Sequence, residues 1–126
     1  MKIATLISGA LLGLVFVVFG LNFFLNFIPI PPLPEGTPAA AFMGAMYGSG
    51  FLAFVKVLEI ISGALVAIPK TRNFGLLILG PIIVNILAFH IFLLGDGLAQ
   101  PPVLLITVLS AFLLFAGHKS FAKLLN

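Results

Sequence analysis

Three stretches of this chain, residues 3–27, 74–94 and 103–116, contain no Asp, Glu, Lys or Arg, and a fourth, residues 51–68, contains only Lys56 and Glu59. Crossing a hydrocarbon core of ~30 Å takes about 20 apolar residues at 1.5 Å rise each. The first three segments fit that length if the last is extended back to Pro101, since proline is tolerated in a first helical turn. With 62% apolar and 7% charged residues among 126 positions, a water-soluble fold would leave most of its surface greasy. The expected fold is therefore all-α: a polytopic membrane protein with an antiparallel four-transmembrane-helix bundle, spans at about 3–27, 51–68, 74–94 and 101–117. The whole of 1–126 reads as a single membrane domain, because connections this short hold no soluble module.

Charge placement gives the expected orientation. Lys2 precedes the first span, Lys70 and Arg72 lie between the second and third, and Lys119 and Lys123 follow the fourth, whereas Glu35 and Asp96 occupy the other two connections. The positive-inside rule then puts both termini and the middle connection in the cytoplasm, with the Glu35 and Asp96 connections facing out. The bilayer is the first expected partner. Cations dispersed over separate helix ends form no stripe for nucleic acid. Lys2 followed by an apolar segment also resembles a secretory signal, but the apolar run exceeds the ~7 to 15 residues of a signal core, so it reads as a retained span. Cysteine is absent, so this chain offers no thiolate for redox work or metal binding.

Five prolines between residues 28 and 38 predict an extended outer connection. Residues 39–50 that follow, with Tyr47 and glycines, predict a short helix at the outer interface; the alternative is a continuation of the second span. Pro69 stops the second span, Thr71 or Asn73 can cap the third, and Gly80-Pro81 predicts a kink. Gly9 and Gly13 form a GxxxG pattern, and with Gly20 and Gly63 they are the expected helix-packing positions within the bundle.

Lys56 and Glu59 are the expensive residues, since a charge at the bilayer centre costs about 2.5 to 3.5 kcal/mol on insertion scales. Counting rise, Lys56 lies ~7 Å and Glu59 ~12 Å below the outer edge, while Asn85 is ~16 Å, His90 ~24 Å and Asn22 ~27 Å above the inner one. Lys56, Glu59, His90, Asn85 and Asn22 thus form a candidate outward-opening polar pocket. Lys56 and Glu59 share a helix face, as do Asn22 and Asn26; Asn85 and His90, five apart, do not on an ideal helix. Structural readings stand beside this one: an ion pair neutralising its own burial, a snorkelling Lys56, and asparagines as interhelical glue. His90 could contact a ring oxygen, pass a proton or ligate haem iron; His118, at the opposite end, cannot join it on one haem.

A carboxylate, an amine and an imidazole amid Phe, Leu and Ile suit an amphipathic ligand with an apolar tail and a hydrogen-bonding ring, of which a quinone is the natural membrane-soluble case. Electrons would come from another carrier. The opening LISGALLGLVFVVFGLNFFLNFIPIPP, the stretch FVKVLEIISGALV and the run GLLILGPIIVNILAFHIFLL together resemble small bacterial DoxX-like membrane proteins. That resemblance implies a four-helix inner-membrane fold and association with quinone-linked oxidoreduction as a membrane subunit beside other membrane or periplasmic subunits. Matching polar positions are Asn22, Lys56, Glu59, Asn85 and His90. The expected function is a quinone-binding or membrane-anchoring subunit of a redox system; the alternatives are a non-catalytic accessory subunit and a small proton-coupled transporter.

Overall fold

A computed structural model describes residues 2–125. Helices joined by short turns make up the fold, with no strand among the described residues. The first, α1 (Lys2–Leu25), stops two residues before the expected boundary. Its end is set by Asn22, whose side chain donates to the Ile28 carbonyl at 3.0 Å and accepts from the Ile28 N–H at 2.6 Å. Asn26 then turns the chain with a φ of 53°, in the left-handed region that asparagine tolerates better than most residues. Asn22 and Asn26 therefore do not share a helix face: the first seals the helix end and the second leaves it.

After the proline-rich connection, α2 (Pro38–Ser49) begins where Thr37 Oγ1 accepts from the Ala40 N–H at 3.2 Å and Pro38 fits the first turn. Gly50, at φ 84°, ends α2 and starts α3 (Phe51–Ala67), and the two axes meet at 85°. Residues 39–50 are thus a separate helix, not an extension of the next one. The fourth helix, α4 (Arg72–Ala88), runs through Pro81 and continues as a π-helical segment, Phe89–Leu94. Two prolines open α5 (Pro101–Ala116), and after Gly117 the short α6 (His118–Ala122) departs at 71°.

Two helical stretches, Lys2–Leu25 and Arg72–Leu94, are long and apolar enough to cross a membrane, and the number rises to four if each bent pair, α2 with α3 and α5 with α6, is one span. Taken alone, α3 has 17 residues and α5 has 16. At 1.5 Å per residue each covers only about 25 Å, short of a ~30 Å hydrocarbon core.

In the bundle α1 packs on α3 and α5, and α4 packs on the same two helices from the other side. Leu12, Phe16, Val66, Leu79, Ile106 and Leu113 fill the centre. The outside is as apolar as the inside: Ile3, Leu14, Phe54, Val84 and Val108 are all exposed. A bundle apolar all round suits lipid and not water. Gly13 and Gly63 mark the tightest crossing, that of α1 with α3: a Cβ on Gly13 would overlap the Gly63 carbonyl oxygen, and one on Gly63 would sit 2.9 Å from the Gly13 carbonyl oxygen. Gly20 faces Ile60 across the same interface. At Gly9, grouped with these in the sequence, the atoms nearest to an added Cβ are those of the Arg72 guanidinium.

Candidate functional site

Near the α2 end of the bundle a partly open cavity of about 450 Å³ is lined by all four long helices and by α2. Its walls are apolar: Phe16 and Phe19 from α1, Met43 and Met46 from α2, Val55 from α3, Ile82 and Ile86 from α4, Ile106 from α5. Four polar side chains interrupt them, Lys56, Glu59, Asn85 and His90. Asn22, expected in this group, does not line the cavity, because its amide is committed to Ile28.

Lys56 Nζ donates to Glu59 Oε1 at 3.4 Å. Spacing of three along α3 puts both on one face, and that face is turned inward: the Glu59 residue is 4% exposed. Lys56 does not reach away from its partner toward the bundle surface. Removing two such charges from solvent is unfavourable, and only the pairing offsets it. Both residues line the cavity.

Asn85 is five residues before His90, a spacing that points to different faces on an ideal α-helix. Both nevertheless line the cavity, His90 from the first turn of the π segment and Asn85 as an exposed residue of α4. The wider i→i+5 turn begins at Phe89 and ends with the Gly95 N–H on the His90 carbonyl at 2.9 Å. Asn85 itself donates to the Pro81 carbonyl at 2.8 Å, within its own helix.

Asp96, expected from the sequence in an outer connection, turns toward the bundle. Its Oδ1 lies 2.8 Å from His90 Nδ1. An ionised carboxylate can only accept, so Nδ1 carries the proton and Nε2 is left available. Gly95 and Gly97, with φ of 82° and 64°, turn the chain back so that Asp96 reaches the ring. The usable signal was a carboxylate bracketed by two glycines, six positions after a histidine in an apolar run. Asp96 Oδ2 is buried with no partner among the described residues. The imidazole also stacks edge-on with Phe89, and Phe89 meets Phe42, which ties α2 to the π segment. His118, whose Nδ1 contacts the Phe115 carbonyl, is remote from the cavity.

The arrangement is an apolar chamber with a cation–carboxylate pair on one helix and a carboxylate-oriented imidazole on another. It can hold a flat or narrow apolar molecule, hydrogen-bond its polar atoms from two sides, and exchange protons with them. Compared with family models, with curated proteins and with solved structures, the chain matches none.

Proposed function

We propose that this chain is a DoxX-like, four-span protein of the bacterial inner membrane, with both termini in the cytoplasm, whose cavity binds the head of a quinone as the membrane subunit of a quinone-linked redox system. The observation that carries the reading is the cavity: about 450 Å³, apolar walls, and proton-bearing groups confined to Lys56–Glu59 and His90–Asp96. Its volume falls within the ~300 to 1,000 Å³ of ordinary small-molecule sites. The charge distribution along the sequence supports the orientation, and the resemblance of the Lys56/Glu59 and His90 segments supports the family.

In this reading Lys56 donates to one carbonyl oxygen of the ring, and Glu59 beside it takes up or releases the proton. His90, with its tautomer held by Asp96, meets the other oxygen through Nε2, accepting a hydrogen bond when neutral and donating one when protonated. Electrons enter from a partner subunit. Protons are this chain's contribution.

Quinone extracted from protein purified in mild detergent tests the proposal. Wild type should carry quinone, Val55→Phe should displace it by filling the chamber without touching either charged pair, and Glu59→Gln should weaken binding by about tenfold, the worth of one charge-assisted hydrogen bond. Wild-type protein that holds only acyl chains, with Val55→Phe assembling and functioning unchanged, would make the chain an accessory packing subunit.

A further inference from the structure

We propose that the opposite end of the bundle holds a phosphate group on the guanidinium of Arg72, in a cavity between the start of α1, the start of α4 and the α5–α6 bend. The proposal is independent of the quinone reading. Arg72 is the first residue of α4 and is 7% exposed. Its Nε donates to the Val66 carbonyl at 2.9 Å, while its Nη2 is buried with no partner among the described residues. Gly9 makes the seat, since a Cβ there would overlap the guanidinium.

A guanidinium keeps its charge in any protein environment, and a cation withdrawn from water requires an anion. This chain has three carboxylate side chains, Glu35, Glu59 and Asp96. Glu59 is engaged by Lys56 and Asp96 by His90, and Glu35 lies in the connection before α2, with none of the three lining the Arg72 cavity. Among the described residues no carboxylate reaches Arg72, which points to a counter-ion supplied by a ligand.

The surroundings specify its chemistry. The cavity, about 770 Å³, is lined by Lys2, Asn73 and Ser120 beside Arg72, with Leu6 and Leu113 among its apolar walls. Thr71 occupies the N-cap position of α4, but its hydroxyl donates to the Leu65 carbonyl at 2.7 Å and makes no side-chain cap, so the first N–H groups of α4 are left uncapped. An uncapped helix start, a lysine and a forked guanidinium border the same cavity, a donor set that suits a tetrahedral oxyanion. Apolar walls next to these donors fit the glycerol and acyl root of a phospholipid, whose phosphate diester is one source; a soluble phosphate is the other.

Melting temperature and native mass spectrometry of the detergent-purified full chain decide the matter. Phosphatidylglycerol should be retained about tenfold more tightly than phosphatidylcholine, a factor expected of one charged hydrogen bond, and should raise the melting temperature. If inorganic phosphate, against chloride at equal ionic strength, reproduces the stabilisation, the source is a soluble anion; if only phosphatidylglycerol does, it is a headgroup. Arg72→Gln should abolish the preference and Arg72→Lys should restore only part of it. Should Arg72→Gln fail to fold, Lys2→Gln should lower the preference and photoreactive phosphatidylglycerol should label wild type at Leu6 or Leu113. The proposal falls if wild type distinguishes neither lipid from lipid nor phosphate from chloride, if Arg72→Gln keeps the full preference, or if labelling lies elsewhere on the chain.

Discussion

The two ends of this bundle handle buried charge in opposite ways. At the α2 end each inward-facing carboxylate has a partner from its own chain: Lys56 for Glu59 and the His90 imidazole for Asp96. At the other end Arg72 has a backbone carbonyl and, among the described residues, nothing negative. The first end is paired from within and can receive a neutral guest. The second is open, and its balance depends on what the surroundings deliver. A composition with six cations against three carboxylates leaves such an imbalance somewhere; the fold concentrates it at one buried guanidinium.

Substitutions can unbalance the paired end in graded steps. Lys56→Met should have the largest effect, a loss of about 3 to 5 kcal/mol in detergent unfolding, because Glu59 would be left buried without its cation. Asp96→Asn should lower stability by about 1 kcal/mol, since that pair is partly solvated, and should release the imidazole from one tautomer, visible in the nitrogen shifts of His90. Thr37→Ala, which removes the cap of the helix over the cavity, should cost about 1 kcal/mol or less and increase proteolysis of the α1–α2 connection before any global unfolding. The double change Lys56→Met with Glu59→Leu should lie within about 1 kcal/mol of wild type, because both charges leave together, while still eliminating quinone binding. A double variant as unstable as Lys56→Met alone would mean that the pair organises α3 in some way beyond neutralising itself.

Much of the scaffold can be read from residues, and the failures share a cause. Apolar runs, Pro38, Pro101 and the glycine at 50 place helix starts and stops to within two or three residues, since each acts through local backbone chemistry. Lys56 and Glu59 are found for the same reason: spacing on one helix is local. Asn22 was misplaced because depth alone was counted, and an asparagine near a helix end bonds to nearby backbone before it reaches across a bundle. Asp96 and Arg72 were assigned to loops as solvated charges. Only the tertiary path, a glycine-flanked reversal in one case and a glycine seat on another helix in the other, turns them inward. The π segment is equally hidden, because which carbonyl an N–H chooses depends on the packing around Phe89 and His90.

The right-angled elbow at Gly50 has a kinetic corollary. If α3 stands upright in a bilayer, as the proposed function has it, the 85° bend would lay α2 along the membrane surface, with Phe42 of α2 and Phe51 of α3, both cavity-lining and both exposed, at the rim. A hydrophobic guest already dissolved in the leaflet would slip in sideways between them without passing through water. Occupancy would then follow how strongly the molecule partitions into the membrane, not its concentration in the aqueous phase, so that analogues differing only in tail length would rank by oil–water distribution.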